Sequence, residues 1–159
     1  MKSVKRLRLA LQDAGLDASV ENLPASTRTA TEAATAIGCS VGEIAKSLVF
    51  GNSVRQEPVL VVMSGPNRVD LTLLQALLAS PVEQVDAEYV RRHTGYSIGG
   101  VPPLGHSKPI QTFLDEDLFQ YETIWAAAGG PYSVFPVSPR ELERAIGAKR
   151  ARLVERTQK

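Results

Sequence analysis

Two short segments of this 159-residue sequence combine residue types suited to holding a ligand. The first begins at Lys46, which opens the apolar run Lys46-Ser47-Leu48-Val49-Phe50. An ammonium there can hold a polar group by its charge. The same position also suits a surface lysine that lays its stem along apolar neighbours and keeps its charge in water. The second segment is Gly99-Gly100-Val101-Pro102-Pro103. Glycines let backbone amides approach a ligand closely, and prolines fix the chain so that the amides are pre-aimed. By composition alone, a structural turn is the preferred explanation of this loop.

The remaining reactive residue types are scattered. Cys39, His93 and His106 are widely spaced and lack any zinc-ligand pattern. Cys39 reads as a small buried hydrophobe, and His93 as a last-turn residue that favours a helix dipole. Asp115-Glu116-Asp117 reads as capping after a strand. No Gly-x-Gly-x-x-Gly, no phosphate loop ending in Gly-Lys-Ser and no Gly-x-Ser-x-Gly occurs. Neither a metal nor a cofactor is expected.

Composition bounds the class. Apolar residues make up 43% and charged residues 22%, ordinary values for a globular chain. The length fits one domain, here taken as residues 1–159. A single cysteine excludes an internal disulfide and favours a reducing compartment. The opening residues Met1–Arg8 are too charged for a signal-peptide core, and the longest apolar run, Val59–Met63, is too short to span a bilayer. A cytoplasmic location without membrane contact is therefore expected. The net charge of +1 argues against non-specific binding along a DNA duplex, which needs many phosphate contacts.

The elements that must position the two segments follow from periodicity and caps. Residues 2–14 place Val4, Leu7, Leu11 and Ala14 on one helical face, with Gly15 suited to the left-handed position beyond. Ala18–Leu23 reads as extended. Ser26-Thr27-Arg28-Thr29 offers hydroxyls for a helix start, with a helix from Ala30 to Ile37 ended by Gly38. Ser40-Val41-Gly42-Glu43 has capping-box spacing. Lys46–Phe50 and Pro58–Met63 read as strands, joined through turn residues Gly51-Asn52-Ser53. Asp70 caps a helix carrying Leu71, Leu74, Leu77 and Leu78, and Asp86 caps Ala87–His93, ended by Gly95. Val82–Val85, Ile110–Leu114, Thr123–Ala127, Ser133–Val137 and Ala151–Val154 read as further strands. Ser138-Pro139-Arg140-Glu141 opens a last helix to about Ile146. Strands and short helices interspersed this irregularly predict an α+β fold with a mixed sheet.

One ordered series of segments is more specific than any of its parts. Leu23–Ala34 comes first, then Ile44-Ala45-Lys46-Ser47-Leu48-Val49, then Thr94–Gly105, then Ala128-Gly129-Gly130. From about Leu7 to Ile146 the chain resembles the YbaK/ProX family, free-standing relatives of the editing domain inserted in bacterial prolyl-tRNA synthetases. The resemblance implies a single domain with a curved, barrel-like mixed sheet flanked by short helices. It implies hydrolysis of the ester joining an amino acid to the terminal adenosine of a mischarged tRNA. The tRNA acceptor end would be the partner, with an aminoacyl-tRNA synthetase or elongation factor as a candidate helper. The basic residues near both termini, Lys2, Lys5, Arg6, Arg8, Lys149, Arg150, Arg152, Arg156 and Lys159, then read either as solvated helix faces or as a track for the acceptor stem.

The resemblance places the family's functional lysine on Lys46 and its loop on Gly99–Pro103, with Gly99, Gly100 and Val101 supplying amides to the reaction. It implies substrate contacts from Thr29, Thr31, Ser47, Pro102, Pro103, Gly105, His106, Gly129, Gly130 and Phe135. Ala128 and Phe135 stand where the cysteinyl-tRNA deacylase branch has a serine and an aspartate. That leaves alanine, serine, threonine or a non-protein amino acid open as the group removed. Two other readings remain at this level: a non-catalytic module that binds a tRNA end or an aminoacyl group, and a small-molecule esterase.

Overall fold

The computed structural model describes residues 2–25 and 29–155; Ser26, Thr27 and Arg28 of the hydroxyl-rich segment, and the terminal Arg156 and Lys159, lie outside them. Five α-helices are present among the described residues: α1 (Lys2–Asp13), α2 (Ala30–Ile37), α3 (Leu71–Leu78), α4 (Ala87–Thr94) and α5 (Pro139–Ile146). Eight strands accompany them: β1 (Glu21–Asn22), β2 (Ile44–Asn52), β3 (Glu57–Ser64), β4 (Val82–Glu83), β5 (Gln111–Asp115), β6 (Ile124–Ala127), β7 (Ser133–Val137) and β8 (Lys149–Ala151).

Helices α2 to α5 begin where side-chain caps occur. Thr29 accepts from the Glu32 amide while the Glu32 carboxylate accepts from Thr29, a complete capping box. Asp70, Asp86 and Ser138 each accept from amides in the first turn of α3, α4 and α5. Left-handed Gly38, Gly95 and Gly147 follow α2, α4 and α5. Ser40–Glu43 also forms its box, at the start of a short 3-10 helix, Val41–Glu43.

All eight strands join one mixed sheet in the order β1-β7-β6-β2-β3-β5-β8, with β4 added to the far end of β2. The sheet is not closed: β1 and β8 are its outer strands. β2 and β3 form an antiparallel hairpin, whereas β6 on β2, β5 on β3 and β8 on β5 run parallel. The hairpin turn falls later than Gly51-Asn52-Ser53, because the Asn52 side chain accepts from the amides of Val54 and Arg55 and extends β2 through Asn52. β1 is shorter than the extended stretch predicted, and the last strand lies at Lys149–Ala151 rather than 151–154.

β3 explains the longest apolar run. Leu60 and Val62 enter one core with Leu7, Leu11, Leu114, Phe135 and Leu142. Val59, Val61 and Met63 enter a second core with Phe50, Leu74, Phe113 and Leu153. A strand covered on both faces needs apolar residues at every position, not at alternate ones. Asp115, fully buried at the end of β5, is held by the Ser64 amide, Asn67 Nδ2 and the Asp117 amide at 2.8–3.0 Å.

Candidate active site

The sheet has a fault line beside β2. Its parallel neighbour β6 pairs with it only at Ile44 and Ala45, and β4 pairs with it only at Gly51 and Asn52. Between those points, among the described residues, β2 is bonded on one side alone, to β3. A cavity of about 400 Å³ occupies the opening. Lys46 and Ser47 form its floor, Gly99 and Val101 one wall, and Thr29 and Thr31 of α2 another. Trp125, Ala127 and Val134 face them from β6 and β7. A smaller recess of about 160 Å³ continues along β2 and shares Ser47, Ile98, Gly99 and Val101 with the main cavity. Ile98, 61% exposed, forms the lip.

Lys46 carries the charge in this space. Burial draws its pKa below the usual lysine range; the nearby Arg68 charge acts in the same direction, and Asp115 opposes both. Among the described residues, no carboxylate lies within ion-pair distance of it. Beside it, the Ser47 hydroxyl is buried and has no hydrogen-bond partner among the described residues.

The loop across the cavity is held from behind. Arg6 of α1 donates to the Gly95 carbonyl and lies 4.5 Å over the Tyr96 ring. The Tyr96 hydroxyl donates to the Gly105 carbonyl at 2.9 Å, closing the loop on itself. His106 Nε2 lies 2.7 Å from the Pro102 carbonyl; an oxygen can only accept, so this nitrogen carries the proton. The Gly129 amide donates to the Gly100 carbonyl at 3.0 Å. A β-carbon on Gly100 would stand 3.2 Å from the Gly130 nitrogen, so this close approach of two backbones favours glycine.

These bonds sort the residues expected at the site. Lys46, Ser47, Gly99, Val101, Thr29 and Thr31 are brought together around one cavity. Gly100, Gly129, Gly130 and Pro102 lie behind the wall and fix its shape. Pro103, Gly105 and His106 line a separate groove against α1 and α5. Phe135 and Ala128 are fully buried in the core and line neither space. The Gly100 amide already donates to the Ser97 carbonyl at 3.0 Å, whereas the Gly99 and Val101 amides have no bond among the described residues.

Several lining residues had no signal in the sequence. Trp125, Ala127 and Val134 read simply as strand positions, and Ile98 as part of an irregular loop. Elsewhere, Cys39 is half-buried against Ala33, Ala34 and Ile44, less enclosed than expected, and burial raises its pKa. His93 does sit in the last turn of α4, with its ring 4.1 Å from that of Tyr89. Asp115 caps the 3-10 turn Glu116–Gln120, as the capping reading anticipates. Of the basic residues near the termini, Arg150 pairs with Glu143 at 2.9 Å and covers the Phe119 ring. Among the described residues no cluster suited to a metal ion occurs, and no helix is long and apolar enough to cross a membrane.

The chain is similar to several known proteins. YwhH of Bacillus subtilis (strain 168), itself uncharacterized, is 29% identical over 140 residues, 88% of each chain. EbsC of Enterococcus faecalis (strain ATCC 700802 / V583), named as a proposed Cys-tRNA(Pro)/Cys-tRNA(Cys) deacylase, is 35% identical over 103 residues, 64% of this chain and 62% of that one. A crystal structure described as a proposed trans-editing enzyme for prolyl tRNA synthetase superposes with a TM-score of 0.91 at 46% identity, covering 98% of both chains. The family model of the aminoacyl-tRNA editing domain matches residues 24–154, and the chain belongs to that family.

Proposed function

We propose that the cavity beside β2 hydrolyses the ester of a mischarged aminoacyl-tRNA, releasing the amino acid and the intact tRNA. The observation that carries this reading is the meeting on one cavity of Lys46 with Gly99 and Val101, whose amides have no bond among the described residues, in a chain of the editing family. An aminoacyl ester is activated, so the site must place a water and stabilise the oxyanion that forms. Water attacks the carbonyl carbon, the bond to the ribose oxygen breaks, and that oxygen leaves with a proton. Backbone amides aimed at the developing oxyanion are worth about 3 kcal/mol each in comparable sites. Lys46 holds the ester or the terminal phosphate by its charge, and its lowered pKa eases proton exchange with the water.

The described residues on the cavity include no histidine or carboxylate to act as base. The ribose 2′-hydroxyl of the substrate fills that role in this proposal. A tRNA ending in 2′-deoxyadenosine, with the amino acid on its 3′-oxygen, is then hydrolysed much more slowly. The acceptor end would enter as a single strand, through stacking and backbone contacts. This chemistry belongs to the cytoplasm, where translation supplies the substrate.

The decisive experiment is a deacylation assay across tRNAs charged with alanine, serine, threonine, cysteine and proline. Hydrolysis of at least one is expected, with Lys46→Met slowing it by about 10²-fold, the scale of losing one electrostatic stabiliser. The variant should stay folded, because the lysine charge is already disfavoured by burial. Retained binding of every ester with no turnover would replace the hydrolase by a binding module.

A further inference from the structure

The fault line beside β2 leaves backbone as well as side chains facing the cavity. In an extended strand, the N–H and C=O of one residue point to the same edge, and those of the next residue to the other. The Ser53 amide donates to Pro81 on the β4 side, which fixes the parity. Counting back by twos, Gly51 faces β4, Ala45 faces β6, and Ser47 and Val49 face the gap between them. Pro58 supports the assignment: it has no N–H and stands opposite Gly51, a pair that exchanges no ladder bonds under this parity. Neither Ser47 nor Val49 has a backbone partner on that edge among the described residues.

An aminoacyl group presents the same two functions, an amine that donates and a carbonyl that accepts, on either side of one α-carbon. Two residues directly opposite in an antiparallel pair exchange both bonds. A single residue can do this; parallel pairing would need a longer chain.

We infer that the open edge of β2 receives the aminoacyl group as a one-residue antiparallel strand, with the Ser47 amide donating to the ester carbonyl and the Ser47 carbonyl accepting from the α-amine. Ser47 rather than Val49 is the docking residue because it borders both the main cavity and the recess, next to Lys46 and across from Gly99. The inference rests on the hydrolase reading of the same cavity and supplies what that reading lacks: how the amino-acid moiety is recognised apart from its side chain. It carries a stereochemical consequence. Opposed residues of an antiparallel pair share a face, so an L-residue sends its side chain to the Ser47 Oγ side. That is the side of Val49, Val90 and Val101 in the recess. A D-residue would send it to the opposite face.

The test uses tRNAs charged with L-alanine, L-serine, L-threonine and L-cysteine, their D enantiomers, and the matching acyl groups without the amine, such as propionyl for alanyl. Rates are corrected for spontaneous hydrolysis. For the L-ester hydrolysed fastest, the D and desamino counterparts should each be slower by about tenfold or more, the scale of one lost hydrogen bond to a charged or polarised group. Ser47→Pro removes an N–H that serves no ladder bond, a change tolerated on a strand edge, and should cost a similar factor. Val49→Pro perturbs the same strand but leaves the Ser47 amide, and should cost less. Circular dichroism establishes that each variant is folded; if Ser47→Pro is not, the D and desamino arms decide alone. Equal rates for L, D and desamino esters, or a wild-type rate in folded Ser47→Pro, overturn the docking. Hydrolysis of none of the L-esters overturns the hydrolase reading itself.

Discussion

Replacing Ser47 by alanine separates what a residue does for the fold from what it does for a ligand. The Ser47 hydroxyl is buried with no partner among the described residues, while the strand around it is fully paired to β3. A buried polar group left without a bond costs roughly 1–3 kcal/mol. Alanine keeps the β-carbon and every backbone bond, and removes only the oxygen. The gain should fall near the low end, about 1 kcal/mol, because Ser47 lines two cavities rather than sitting in solid core. For a chain of this length that raises Tm by about 2–4 °C. The opposite sign is expected in function. If the hydroxyl contacts the aminoacyl group, its loss slows deacylation by about tenfold. Thermal unfolding followed by circular dichroism gives the first quantity, and a deacylation time course on the best L-ester gives the second. A Tm that falls by several degrees with the rate unchanged would show that the hydroxyl is bonded within the fold, and would refute the reasoning.

Two further predictions concern the supports of the site. Asp115→Asn should destabilise by about 2–3 kcal/mol, seen as a lower midpoint in urea, because its carboxylate accepts from three donors and either orientation of the new amide turns an N–H toward one of them. His106 has its pKa lowered, first by burial and then partly restored by its bond to Pro102, so the neutral ring is the folded form. The unfolded chain therefore takes up the proton first, and stability should fall as pH drops from about 6.5 toward the depressed folded value. His106→Gln should flatten that part of the Tm–pH curve; an unchanged slope would assign it to His93, whose pKa is lowered as well.

Local chemistry made most of the elements legible. Thr29 with Glu32, Asp70, Asp86 and Ser138 start helices because their side chains satisfy amides that the helix itself cannot, and the glycines after α2, α4 and α5 tolerate the left-handed turn that ends them. These signals act over four or five residues and need no tertiary partner. The order of Lys46 and the Gly99–Pro103 loop along the chain, joined to a family resemblance, also pointed to one site. Where boundaries moved, a single side chain moved them, as Asn52 does by bonding the turn after it.

What the sequence could not carry is which strands become neighbours. Apolar alternation says which face of a strand is buried, not what lies at its edges; that is fixed by pairings between residues far apart, such as Ala45 with Ala126 and Gly51 with Glu83. The gap between those two pairings creates the cavity, exposes the β2 edge and leaves Ser47 Oγ unbonded. The same long-range packing puts Phe135 into the core, turns His106 toward Pro102 and commits the Gly100 amide to Ser97. Residue types and local spacing determined the parts; only the closure of distant strands around an unfilled edge decided which of them face the cavity.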